Sequence, residues 1–186
     1  MADILTRLHQ DHIHMAQVLD VLEQQLEILR HPEGEQNPDL NLILECALYF
    51  VSFPDKVHHV AEDKLFSKTE RVLPDMKAAF TRLRHDHQTL AREGEKFHRT
   101  IEKICAGEVL ERAVLVREID NFVRHQRDHM NLEEAEIFPR AKSELSEINF
   151  AEIETEYEAS LDPVFSSKIE NYYERIRDAI VSVENY

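Results

Sequence analysis

Four histidines and two glutamates in this chain fall in a pattern that suits the binding of two metal ions. Leu8-His9-Gln10-Asp11-His12 returns 75 residues later as Leu83-Arg84-His85-Asp86-His87, and His58-x3-Glu62 returns 71 residues later as His129-x3-Glu133. A His and a Glu four residues apart share one face of a helix. On a bundle helix that spacing lets a carboxylate bridge two ions while the imidazole binds one of them, as the related Glu-x-x-His spacing does in carboxylate bundles. The pattern predicts one ion held by His12 and His58 and another by His87 and His129, with Glu62 and Glu133 bridging both. Imidazole with carboxylate suits iron or manganese, and the absence of Cys from the set argues against structural zinc. Two iron ions under an oxo or hydroxo bridge are expected, with manganese or zinc as substitutes.

Other residues of the same types read differently. His31/Glu35 and His98/Glu102 repeat the spacing, the first in a Pro-containing loop and the second toward the wrong end of its helix. Both pairs are expected to be solvated. His125, one turn before His129, reads as an extra ligand or an outer hydrogen-bond donor. His9, His14, His59 and His85 neighbour the ligands in sequence but point elsewhere on a helix, which predicts surface or outer positions. Asp11 and Asp86 are candidates to cap or to pair across helices. Glu134 and Asp63 are expected in solvent, and Tyr49, Phe50 and Phe53 in packing.

Elements must bring the six together. Apolar periodicity predicts helices over about 3–30, 40–68, 74–106 and 108–142, with Asp3 as N-cap of the first. Pro32, Gly34 and Pro38 end the first helix in a loop. Pro54 should kink the second or mark a short break in it, Pro74 suits the first turn of the third, and Gly107 follows its end. Short connections imply an all-α, up-down-up-down four-helix bundle over 1–142. Residues 143–186 carry Phe150, Ile153, Tyr157, Leu161, Val164, Phe165, Ile169, Tyr172, Ile176, Ile180 and Val183. They are expected to form a C-terminal helical extension of one or two amphipathic helices, split near Pro163, that covers the bundle or joins a second copy as a homodimer.

At about 1.5 Å rise per residue, all six candidates lie roughly 10 to 20 Å from the same end of an antiparallel bundle. Each also sits in an apolar stripe, flanked by Leu5, Leu8 and Met15, by Leu83 and Leu90, by Val51 and Leu65, or by Phe122 and Ile137. Such stripes face the core. Unpaired polar groups there cost several kcal/mol, on the order of 2–7 each, so convergence at one level requires a common partner.

Composition narrows the rest. In 186 residues there are only three Gly and six Pro, which disfavours an all-β fold. A formal charge of −15 argues against nucleic acid, whose binding needs clustered Lys and Arg. No apolar run suits a membrane span, and the N-terminal residues show no secretion signal. Cys46 and Cys105 give no disulfide framework and read as small core residues in a cytoplasmic protein.

These residues resemble the hemerythrin-like (HHE cation-binding) domain family. The resemblance rests on Leu-x-x-Asp-His at 8–12 and 83–87, on 58–66 (HHVAEDKLF) and on 129–139 (HMNLEEAEIFP), and covers about 1–142. It implies a four-helix bundle with a non-haem di-iron centre and His12, His58, Glu62, His87, His129 and Glu133 as ligands. Oxygen-carrying members have a further His one turn after the third-helix ligand, where this chain has Ala91, and His-x4-Asp on the last helix. Those departures point away from reversible oxygen carriage. The expectation is a di-iron protein that binds or reacts with dioxygen, peroxide or nitric oxide in sensing, detoxification or iron handling. The alternative is a metal-stabilised interaction module whose C-terminal helices bind a partner. No nucleophile–base pair or phosphate-binding loop supports hydrolysis or group transfer.

Overall fold

The computed structural model describes residues 4–144, 151–157, 162–165 and 173–184. The expected N-cap Asp3 and the expected apolar positions Phe150, Leu161, Ile169 and Tyr172 lie outside them.

The described residues are almost entirely helical and contain no strand. Helix α1 (Ile4–Arg30) buries Leu8, Met15, Val18, Leu19, Leu22 and Leu26 along one stripe. Asp39 caps α2 (Leu40–Phe53), its carboxylate accepting from the backbone N–H groups of Asn41 and Leu42. That satisfies donors a helix start leaves unpaired. Helix α4 (Lys77–Cys105) follows a 3₁₀ turn at Pro74–Met76 and closes at Gly107, whose φ of 98° lies in the left-handed region. Helix α5 (Arg112–Leu132) starts a turn later than periodicity suggests.

The second and fourth long segments are not uniform helices. Pro54–His58 forms a π turn between α2 and α3 (His59–Thr69), closed by the His59 N–H donating to the Pro54 carbonyl. Glu133–Ile137 forms another between α5 and α6 (Phe138–Glu144), closed by the Phe138 N–H donating to the Glu133 carbonyl. Proline clashes with the carbonyl four residues before it, and a wider turn beside Pro54 fits that crowding. The π turn at Pro54 is the short break that was expected there as the alternative to a kink. The second turn has no proline within it. Both adjoin candidate ligands, where π turns are frequent.

Helix α2 packs on α4, α1 on α5, and α4 on α5, making a helical bundle. Helix α7 (Ala151–Tyr157) lies on α3, and α8 (Glu174–Glu184) on α1 and α2. Ile153, Tyr157, Val164, Tyr173, Ile176 and Ile180 are buried, so these parts of the extension cover the bundle. No helix among the described residues is long and apolar enough to cross a membrane.

The core divides in two. One cluster holds Met15, Leu19, Leu22, Phe50, Phe53, Phe122 and Met130. The other holds Leu8, Leu65, Phe66, Phe80, Leu83, Ile137 and Phe138. His12 falls between Leu8 and Met15, and Glu62 between Phe53 and Leu65. His129 and Glu133 likewise fall between Phe122 and Ile137. A polar layer thus separates the two apolar clusters.

Candidate metal centre

All six predicted residues, His12, His58, Glu62, His87, His129 and Glu133, are brought together and buried. Glu62 Oε1 lies 3.1 Å from His58 Nε2 and 3.4 Å from His12 Nε2, while its Oε2 lies 3.4 Å from His87 Nε2. Glu133 Oε2 lies 3.4 Å from both His12 Nε2 and His129 Nε2, and its Oε1 lies 3.5 Å from His87 Nε2. Glu62 therefore reaches across the cluster with one oxygen to each side, whereas Glu133 Oε2 lies equally near His12 and His129. The Nε2 atoms of His12 and His58 meet at 3.0 Å.

The outward nitrogens are held by carboxylates. His12 Nδ1 is 2.7 Å from Glu134 Oε1, His58 Nδ1 is 3.0 Å from Asp11 Oδ2, and His87 Nδ1 is 2.9 Å from Asp63 Oδ1. Metal-binding imidazoles are oriented in this way, since a carboxylate on one nitrogen leaves the other free to donate inward. Phe138 stacks on His12 and Phe66 on His87, which keeps both rings among apolar groups.

Electrostatics in this layer are opposed. Burial pushes the His58 imidazolium toward losing its proton, but the Glu62 charge and the Asp11 hydrogen bond outweigh it and raise the pKa to about 10. Burial acts likewise on His87, and Asp63, Glu133 and Glu62 together lift it to about 12. Glu133 is pushed up by burial and by the neighbouring Glu62 charge. Burial acts on Glu62 in the same direction, but His58, His12 and His87 hold it well below the usual carboxylate range. His129 falls well below its ordinary value through burial and the charges of His59 and His87.

These groups fit a metal. All four carboxylate oxygens of Glu62 and Glu133, with His87 Nε2 and both ring nitrogens of His129, are buried without a hydrogen-bond partner. Such groups are costly unless a cation or hydrogen bond compensates them. Spacings of 3.0–3.5 Å match neighbouring donors on one octahedral ion, about 3 Å apart for bonds of roughly 2.1 Å. One donor atom each from His12, His58 and Glu62 forms a compact group, and one each from His59, Glu62, His87 and His129 forms another.

Four expectations need correction, one of them being Cys105, read as a small core residue and found exposed. His59 is buried at 4% exposure, so of the surface and outer positions expected for it the surface one is excluded. Glu134 and Asp63 are not simply solvated but partner His12 and His87. In sequence, a carboxylate beside a bridging Glu looks like helix-surface charge. Only the arrangement of helices turns Glu134 toward α1 and Asp63 toward α4. Asp11 takes the cross-helix role considered for it, whereas Asp86 pairs with Arg82 on its own helix. His125 is held by Glu93 at 2.8 Å, and His31 and His85 are exposed. His9 reaches Glu134 at 3.0 Å from an exposed position, and His14 stacks on Phe165. His98 is half-buried and Glu102 exposed.

A helical bundle with a buried layer of imidazoles and carboxylates has the features of a cation-binding domain. The profile of the hemerythrin HHE cation binding domain matches residues 3–141, and the chain belongs to that family. No curated protein and no solved structure gave a match.

Proposed function

We propose that this chain is a non-haem di-iron protein that binds or reacts with dioxygen, peroxide or nitric oxide. In this reading His12 and His58 hold one ion, His87 and His129 the other, and Glu62 and Glu133 bridge them. The supporting observation is that both glutamates, fully buried and without hydrogen bonds, approach histidines of both pairs, Glu62 with one oxygen toward each and Glu133 with its Oε2 equally near His12 and His129 and its Oε1 near His87. Membership of a cation-binding family supports the same reading. The helix packing is compatible with an up-down-up-down order of α1, α2–α3, α4 and α5–α6.

Iron bound there would supply one-electron chemistry and open coordination positions for a small ligand. The chain's own residues do the remaining work. Asp11, Asp63 and Glu134 fix ring orientation. Phe66, Phe80, Phe138, Leu8 and Leu65 exclude bulk water from the layer, which strengthens every charge interaction inside it. The alternative, a helical interaction module, has less support, because Ile153, Tyr157, Tyr173, Ile176 and Ile180 spend their apolar surface on the bundle itself.

The test is metal content by mass spectrometry on untagged protein from iron-supplemented cells. About two irons per chain, lost in a Glu62→Ala, Glu133→Ala double variant, are expected. Ferrous protein mixed with oxygen or nitric oxide then separates reversible binding from turnover. Folded wild-type protein with no metal, or with one loosely held zinc, would refute the redox reading.

A further inference from the structure

His58 and His59 are consecutive, yet both are buried, at 0% and 4% exposure. Neighbours on a helix diverge by about 100°, so two adjacent side chains rarely serve one small site from the same side. Here the divergence separates them across the site. His58 faces α1, with Nδ1 on Asp11 and Nε2 at 3.0 Å from His12 Nε2. His59 faces α4 and α5. Its ring stacks on His87 at 4.4 Å with an interplanar angle of 12° and meets His129 edge-on at 5.5 Å.

Glu62, one turn further on, lies between the two directions. Its Oε1 approaches His58 and its Oε2 approaches His87. One donor atom each from His59, Glu62, His87 and His129 lies within 4.8 Å of every other. The outer hydrogen bond that would mark His59 as a satisfied core histidine is not made. Its Nδ1 stands 3.4 Å from Asp55 Oδ1, and both atoms are buried without a hydrogen-bond partner.

We propose that His59 is a protein donor to the ion on the His87–His129 side, giving that ion three imidazoles and the His12–His58 ion two. This rests on the dinuclear reading above and deepens it. The ligand is a divalent transition-metal cation of the iron type, because imidazole with carboxylate suits such ions. The two positions become chemically unequal. The extra donor comes from the first residue of α3, one residue beyond the π turn at Pro54–His58.

The experiment uses the full-length chain, loaded anaerobically with Fe(II) or, for spectroscopy, with Co(II). Wild-type protein is expected to keep two ions per chain under chelator challenge. His59→Ala should keep one as tightly as wild type and lose the other at about 10–100-fold lower chelator concentration, the range that loss of even an outer partner of a ligand produces. His59→Glu, which restores a donor, should recover most of that loss. Two equally retained ions and an unchanged Co(II) spectrum in His59→Ala would show that His59 only packs, leaving the dinuclear reading intact. Wild-type protein that holds fewer than two ions would overturn that reading and this assignment together. If the variants do not fold, wild-type protein decides: Co(II)-loaded chain with labelled histidines should show strongly shifted resonances from His59 as well as from His12, His58, His87 and His129. Shifts from those four with His59 at an unshifted position overturn the proposal.

Discussion

Asp11 accepts a hydrogen bond from His58 Nδ1 at 3.0 Å and also takes the hydroxyl of Tyr157. One carboxylate of α1 therefore ties a candidate ligand to α7, and the Arg7 guanidinium lies 4.8 Å over the Tyr157 ring. An amide in place of this carboxylate would hold the imidazole less strongly and lower its basicity. Asp11→Asn is expected to weaken metal retention about 10–100-fold. Tyr157→Phe, which leaves the Asp11–His58 bond in place, should change it less. Competition with a chelator reads both; equal retention by Asp11→Asn and wild type would show that the contact has no bearing on the metal.

Glu133 sets metal binding against stability. Without a cation it is a buried carboxylate beside Glu62, and its pKa is pushed up for that reason. Glu133→Gln removes the charge and should raise the melting temperature of the metal-free protein at pH 8. About 1 kcal/mol of relief corresponds to roughly 2–4 °C in a chain of this size. The same variant should retain less metal. Calorimetry of the metal-free proteins measures the first effect, and a lower Tm for the variant would contradict it.

The histidine layer predicts a pH dependence of the metal-free protein. His58 has its folded pKa raised to about 10 from an ordinary value of 6.5. Its contribution is therefore complete below about pH 6.5 and is lost as pH rises toward 10. The Tm of metal-free protein should fall across that window. Bound metal replaces the proton on this ring, so the loaded protein should lack this part of the fall, and loading should release protons into a weakly buffered solution. Parallel Tm profiles with and without metal would count against the assignment.

Gly94 is buried on α4, facing Val51, Asp55 and Phe122. A Cβ there would lie 3.3 Å from Val51 Cγ1, 3.6 Å from Asp55 Oδ2 and 3.7 Å from Phe122 Cε2. Gly94→Ala gains up to about 1 kcal/mol of helix propensity against one tight contact with a side-chain methyl, and should come out near neutral. Gly94→Val adds branching into the same gap and should destabilise by about 1–3 kcal/mol, the usual range for overpacking. Urea denaturation of both variants checks the order.

Much of the site was legible in the chain because helix geometry is regular. The repeat of His and His-x3-Glu, the apolar stripes and the common level within a bundle determine that His12, His58, Glu62, His87, His129 and Glu133 meet in a buried layer. Scarce Gly and 3.6-residue periodicity likewise determine an all-helical fold, because local sequence decides whether a segment has one face to bury. Tertiary structure decided what lies one step outward. Asp63 and Glu134 look like surface charge until α4 and α1 are set beside them, and His59 looks misdirected until α4 and α5 supply His87 and His129 on its side. The π turn at Glu133–Ile137, which holds no proline, and the Asp11–Tyr157 contact from α7 also have no local signature. The physical reason is the same in each case. A side chain's direction on its own helix is fixed by sequence spacing, but its partner is fixed by the rotation and distance of the neighbouring helix, and those follow only from packing of the whole core.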